Sequence, residues 1–446
     1  MKLELFAEKL FAAGKERGFT DMEVFFSGGS SFRAGVFKGE IDNYTLAESS
    51  GLSFRGIYNG KMGYAFTEKL DEESIDMLIN DAQQNAIIND SEDVEEIFAG
   101  SAEYAEVDAY SQELANATTE QKLALVHAIE KAAYALDDRI ATVQAFFGGG
   151  ASERRIINNK GLNLAFQGNT AMLGVSVIAR QGQETKTAYG REVARDLAEF
   201  DVDKIAKEAV DEAVSLFGAD TIVSKDYPII LRNDVAAQLL AVFAPAFSAE
   251  NVQKGLSLLR GKIGEQIYDA KITIVDDPHM PGKPGSCPFD AEGVATYKKN
   301  VVENGVLKTY LHNLKTARQD GVESTGNASK RSYKSSIGIS PSNFYIQPGE
   351  VNYDEMIKGT KEGLIIISLQ GTHSGANPVS GDFSLAAYGY LVQDGAIVGP
   401  VHQITVAGNY YQMMREVLQI GNDLYFGGGS YGAPSLKIAR LAVAGK

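Results

Sequence analysis

The sequence predicts an α+β fold: an N-terminal duplicated helix–strands–helix domain followed by a C-terminal mixed, mainly antiparallel β-rich domain. Three observations carry that expectation. The order helix, several alternating strands, helix occurs twice in the first half. The second half holds one strongly apolar helix among many short strand-like runs. Turn pairs of hairpin type, Asn59-Gly60, Asn304-Gly305 and Asp394-Gly395, separate neighbouring apolar runs, as antiparallel pairing requires and a doubly wound sheet does not. A chain of 446 residues exceeds one ordinary core, so a boundary is expected near Val223, giving domains 1–222 and 223–446.

In the first repeat, at about 1–88, Leu5, Phe6, Leu10 and Phe11 recur on a helical period. Met22 to Phe26 then reads as a strand ended by Gly28-Gly29, and a closing helix follows the N-cap candidate Asp71. The second repeat, about 119–217, has a helix capped by Thr118 or Thr119, the pair Phe146-Phe147 echoing Phe25-Phe26, and glycines 148–150 read as another strand-ending turn. Between them the acidic, aperiodic stretch from Asn89 to Glu113 reads as a linker. In the second half, Tyr227 to Leu231 is a strand and Asn233 or Asp234 caps the apolar helix that Pro245 ends. Gly363 to Leu369 is a buried strand, and helices fit Tyr353 to Lys361 and Tyr411 to Ile420.

The formal net charge of −16 argues against a nucleic-acid or anionic-membrane binder, because phosphate contacts need surplus cations. The basic run Lys330-Arg331-Ser332-Tyr333-Lys334 reads as a solvated loop. With Cys287 as the one cysteine, no intrachain disulfide can form. The N-terminal helix is amphipathic, and the apolar run from Val235 to Phe247 is too short to span a bilayer. A cytoplasmic protein is expected.

Candidate chemistry gathers on the loop from Gly371 to Asp382, which places His373, Ser374, Asn377, Ser380 and Asp382 after a buried strand. His373, Ser374 or Ser380, and Asp382 offer the residue types of a hydrolytic triad; docking of a peptide or partner at the same loop is the competing reading. The five histidines are too far apart in the chain for an HExxH or HExxxH helix. The tail Gly427 to Gly432 matches GxGxxG and GxSxG formally, but Pro434 and a strand-like run follow where a helix is needed.

Ser286-Cys-Pro-Phe-Asp-Ala-Glu-Gly-Val, Ser324-Thr-Gly-Asn, Gly371-Thr-His-Ser-Gly-Ala-Asn-Pro-Val-Ser-Gly-Asp-Phe-Ser, Ile404-Thr-Val-Ala-Gly-Asn and Ile420-Gly-Asn-Asp-Leu together resemble the TldD/PmbA family, most of all its PmbA branch, also called TldE. The resemblance implies a cytoplasmic protein historically described as a modulator of DNA gyrase. It also implies one half of a TldD/TldE heterodimer that cleaves small or unfolded peptides with a metal, zinc, held by the TldD-type partner. In the TldD branch an HExxxH helix precedes a Lys-Gly-x-Ser segment, and a cysteine near the C-terminus completes the metal site. Aligning Lys254-Gly255-Leu256-Ser257 with that segment puts Leu240 and Pro245 at the histidine positions, Ala241 at the glutamate, and Gly429 or Ser430 at the cysteine. The chain is therefore expected to carry no metal of its own. It would serve as the non-catalytic subunit, with Gly371, His373, Ser374, Asn377 and Asp382 shaping a substrate cleft or a subunit contact. The alternatives are an independent hydrolase using that loop and a non-enzymatic, homodimeric regulatory protein.

Overall fold

A computed structural model describes every residue except Glu92 and Val94. The first repeat comprises α1 (Leu3–Glu16), β1 (Phe19–Phe37), β2 (Glu40–Tyr58), β3 (Lys61–Thr67) and α2 (Glu72–Ile88). The second comprises α3 (Thr119–Leu136), β4 (Ile140–Asn158), β5 (Asn163–Gln181), β6 (Glu184–Ala194) and α4 (Val202–Ser215). Asp71 caps α2 by accepting from the Ser74 N–H, and Thr118 forms a reciprocal capping box with Gln121 at α3; each cap is worth about 1 kcal/mol. The strands form one antiparallel sheet in the order β3-β2-β1-β4-β5-β6, so the repeats join through their first strands. One face carries the four helices. Met22 and Val24 pack with α1 and α2, whereas Phe32, Ala34 and Val36 pack with α3 and α4. The opposite face meets the C-terminal half through Phe25, Ile156 and Phe289.

The strands are longer than the glycines led us to expect. β1 and β4 are each 19 residues and run straight through Gly28-Gly29 and glycines 148–150. Those glycines end nothing; they allow close approach. A Cβ on Gly150 would lie 2.2 Å from the Ser30 carbonyl oxygen, and one on Gly29 would lie 2.5 Å from that of Ala151. The acidic stretch after α2 is also no free linker. Among its described residues Ile97 is buried, the Phe98 carbonyl accepts from Asn158 Nδ2 at 2.7 Å, and Tyr104 donates to the Gly293 carbonyl at 2.8 Å.

The repeats differ at one edge. Residues 40–51 of β2 pair with β1 alone among the described strands, leaving the outer edge bare and Ile41, Tyr44 and Leu46 exposed. The corresponding start of β5 is held by the chain itself. Asn169 N–H donates to the Ala109 carbonyl at 3.0 Å, and the Asn169 amide exchanges two 2.7 Å hydrogen bonds with the Ser111 backbone.

The C-terminal half runs β7 (Lys225–Leu231), α5 (Asn233–Phe243), β8 (Ile274–Asp276), β9 (Lys299–Glu303), β10 (Val306–Leu307), β11 (Ala328–Ser329), β12 (Gly338–Ile339) and β13 (Phe344–Ile346). It continues with β14 (Glu362–Gln370), β15 (Asp382–Gln393), β16 (Ala396–Asn409), β17 (Val417–Ile420), β18 (Tyr431–Gly432) and β19 (Leu436–Ala444). One sheet has the order β16-β15-β14-β7-β19-β17, and a further β16–β19 pairing closes it into a barrel. Ile229, Leu231, Leu364 and Ile366 share a core with α5, while Ile230, Ile365 and Ile367 pack outward against Met356 and Ile357. Burial on both faces is why this segment is apolar without alternation. A second sheet, β10-β9-β8-β13-β18, lies beside the barrel.

Two expected elements differ. Asn233 and Asp234 do not cap α5, whose N-cap is Arg232; Asn233 reaches the Asp423 carbonyl at 3.0 Å and Asp234 pairs with Arg232 at 2.7 Å. The helix expected over Tyr411–Ile420 is only Tyr410–Arg415, because Val417–Ile420 pairs with β19.

Candidate functional site

The loop from Gly371 to Asp382 sits between β14 and β15, starting with a single helical turn, Thr372–Gly375, after Gly371 at φ 78°. Its polar groups serve the turn. Ser374 Oγ donates to the Gly371 carbonyl at 3.3 Å, and Asn377 Oδ1 accepts from the Val379 and Ser380 N–H groups at 2.9 and 3.3 Å. Ser380 Oγ accepts from the Asp382 N–H at 3.3 Å. Asn409 Nδ2 donates to both the Ser380 carbonyl and Asp382 Oδ1 at 2.9 Å, and that bond holds the Asp382 carboxyl below its ordinary range. His373 is exposed, and no hydrogen bond among the described residues links its ring to Ser374, Ser380 or Asp382. The serines, the asparagine and the aspartate come together; the histidine stands apart from them.

The elements expected to carry the metal ligands lie against each other. β18 packs against α5, and the Ser430 carbonyl accepts from the Phe344 N–H at 2.7 Å. Leu240 is fully buried in the barrel core, Ala241 is half-buried and Pro245 is exposed just beyond the helix. None of these side chains, nor Gly429 or Ser430, offers the imidazole, thiolate or carboxylate donors of such a site, and no group able to hold a metal ion occurs among the described residues. The residues present do not fit a catalytic metal.

What remains at the end of α5 is a cavity of about 780 Å³, bounded by Ala244, Pro245, Ser248, Leu311 and Tyr431 and by the loop from Ser329 to Pro341. A second cleft runs between the N-terminal sheet and the loop Gly282–Cys287. Its two chambers, about 500 and 250 Å³, share Ser152, Phe166, Pro284 and Ser286, and glycines 148–150 form part of its floor with Arg33, Arg195 and Lys283 around it. Cys287 lines the smaller chamber, and burial pushes its thiol up to about 11, so it is no thiolate at neutral pH. Neither cleft is lined by the loop from Gly371 to Asp382.

A buried ionic cluster fixes the two halves against each other. Arg55 on β2 pairs with Glu23 on β1 at 2.8 Å and with Glu292 of the C-terminal half at 3.6 Å. Burial alone would lower the guanidinium's pKa, but these carboxylates hold it above its ordinary value. Burial raises Glu292 and its neighbour Asp290.

Lys330, read from sequence as part of a solvated loop, is buried beside this cluster. Its Nζ donates to Ser53 Oγ and Tyr64 OH, both at 2.7 Å, and lies 4.7 Å from the ring centres of Phe25 and Tyr64. Tyr333 is buried as well, and Lys334 pairs with Glu68 at 2.8 Å. These partners lie far back in the chain, so the local charge run could not reveal them.

Burial, then the nearby Arg55, pushes the Lys330 amine down to about 7 from an unfolded value of 10.5. A depressed pKa means that folding selects the neutral amine. Its stabilisation is complete above pH 10.5 and is lost as pH falls through about 7. The difference in Tm between the wild type and Lys330→Met should therefore grow as pH rises from 7 towards 10, and a pH-independent difference would contradict this assignment.

Comparison with known proteins agrees with this architecture. Residues 22–86, 112–217 and 224–445 match domain 1, the central domain and the C-terminal domain of the PmbA/TldA metallopeptidases. An uncharacterised protein of Methanocaldococcus jannaschii is 31% identical, with 94% of this chain and 95% of that one covered. Metalloprotease PmbA of Escherichia coli O157:H7 is 26% identical over 96% of this chain and 93% of its own length. Among solved structures, TldE of Thermococcus kodakarensis superposes with a TM-score of 0.91 at 25% identity, covering 99% of this chain and 100% of that one. With all three domains matched in order and relatives aligned along nearly their whole length, the chain belongs to the TldD/PmbA family, in its PmbA/TldE branch.

Proposed function

We propose that this chain is the metal-free, PmbA/TldE-type subunit of a two-chain, metal-dependent peptidase acting on small or unfolded peptides in the cytoplasm. The observation that carries the reading is the end of α5. The helix and the tail strand pack together, and the positions where the family resemblance expects ligands hold Leu240, Ala241, Pro245, Gly429 and Ser430, which supports the reading. Without an imidazole, thiolate or carboxylate among them these side chains neither hold zinc nor activate water, so the chemistry comes from a TldD-type partner. This chain contributes walls to the shared cleft, and the exposed loop from Gly371 to Asp382 serves as a subunit contact. The division into domains 1–222 and 223–446 belongs to the same reading, with the Arg55 cluster clamping the two. No helix among the described residues is long and apolar enough to cross a membrane.

Peptide cleavage should be absent from the purified chain, appear on addition of the TldD-type partner, and vanish with chelator. Chelator-sensitive cleavage by this chain alone, or a partner whose activity ignores it, would refute the proposal.

A further inference from the structure

The cavity at the end of α5 has an unbalanced inventory of charge and hydrogen-bonding groups. Two charged side chains line it, Glu250 and Arg331. The Glu250 carboxylate is matched by Lys254 at 2.6 Å. Arg331 is exposed to the cavity and makes no ion pair or side-chain hydrogen bond among the described residues. The hydroxyls of Ser248, Ser329 and Ser336 also line it without a hydrogen-bond partner among the described residues, and Ser248 is only 8% exposed. One positive charge is therefore left over, beside hydroxyls that can donate or accept. The rest of the wall sets apolar Ala244, Pro245, Leu311, Ile339 and Tyr431 beside polar Asn251, Ser335 and Ser340.

We propose that this cavity binds the carboxylate of a peptide, with Arg331 as its counter-ion and the serine hydroxyls as further donors. A planar guanidinium offers two parallel N–H groups that match a carboxylate's two oxygens. The Ser248 hydroxyl, unpaired and open to the cavity, is a further donor that a ligand oxygen can use. The size and the mixed polar and apolar wall select the ligand class. At about 780 Å³ the space is far larger than an inorganic anion needs, and Leu311, Ile339 and Tyr431 suit the side chains next to a peptide's charged group. The inference rests on the reading of the chain as a peptide-handling subunit. It gives the position left without metal ligands a distinct task, holding a substrate or product by its charge while the partner cuts.

Isothermal titration of the isolated chain with three N-acetylated peptides tests it: Leu-Tyr-Leu-Phe as the free acid, the same peptide as its amide, and an amide carrying one internal Asp. The free acid should bind at least ten-fold more tightly than the plain amide. Arg331→Met should lose that preference, Arg331→Lys should keep part of it, and Ser248→Ala should weaken binding a few-fold, all with unchanged Tm. Binding of the Asp-bearing amide in place of the acid would uphold the site and assign the carboxylate to a side chain. Equal binding of acid and plain amide, binding unaffected by Arg331→Met, full displacement by inorganic phosphate, or no binding at all would each overturn it. Acid-selective binding in a chain that never supports cleavage with a partner would sink the subunit reading alone. Partner-dependent cleavage without acid selectivity would sink this site alone.

Discussion

Arg55→Met should destabilise the protein by about 3–5 kcal/mol, the usual cost of removing one member of a buried ion pair. The side chains of Arg55, Glu23 and Glu292 are 6%, 1% and 6% exposed, so neither carboxylate can recover its hydration when the guanidinium is lost. The damage falls on the contact between the N-terminal sheet and the C-terminal half, because Glu292 is that half's contribution to the cluster. Chemical denaturation should show an earlier midpoint. The triple variant Arg55→Met, Glu23→Gln, Glu292→Met should recover most of the loss, since well-packed neutral groups often do as well as a buried ionic cluster. A loss below about 1 kcal/mol for the single variant would show that water reaches the site and compensates.

Asp276→Ala should be of similar size and should also deform the cavity at the end of α5. The Asp276 carboxylate is fully buried and accepts from Lys299 Nζ at 3.0 Å, Asn327 Nδ2 at 2.8 Å and the Ser342 N–H at 2.6 Å. Without it the Lys299 ammonium is left buried against the Tyr297 ring, at about 3–5 kcal/mol. Asn327 also donates to the Ser340 carbonyl at 3.2 Å, and Ser340 lines that cavity. Peptide binding should therefore weaken together with the thermal midpoint. Asp276→Ala paired with Lys299→Met should restore stability before it restores binding, and unchanged unfolding of the single variant would be the contrary result.

Much of the framework was legible because its causes are local. Asn59-Gly60, Asn304-Gly305 and Asp394-Gly395 all adopt positive φ at both residues, as tight hairpins need, and Asp71 and Thr118 cap the helices they precede. The features that were not legible depend on partners distant in the chain. Glycines 148–150 look like a turn until the Ser30 carbonyl is seen crossing Gly150. Lys330 reads as solvated until Ser53, Tyr64 and Phe25 surround it. Tyr411–Ile420 has a helical pattern that pairing with β19 overrides past Arg415. The missing metal donors at Leu240, Ala241 and Pro245 were visible as residue types. The cavity beside them was not, because its walls come from Ser248, Leu311, Arg331 and Tyr431.

The bare edge of β2 has a consequence for how the molecule behaves in a crowd. An uncovered strand with Ile41, Tyr44 and Leu46 exposed is the kind of surface on which aggregates start. Glu40, Asp42 and Glu48 lie along the same stretch, with no lysine or arginine among residues 40–51. A second copy approaching this edge with its own would bring carboxylates towards carboxylates, on a chain already carrying −16. The strand best placed to seed clumping thus repels its own kind, while a basic strand from elsewhere would meet no such barrier.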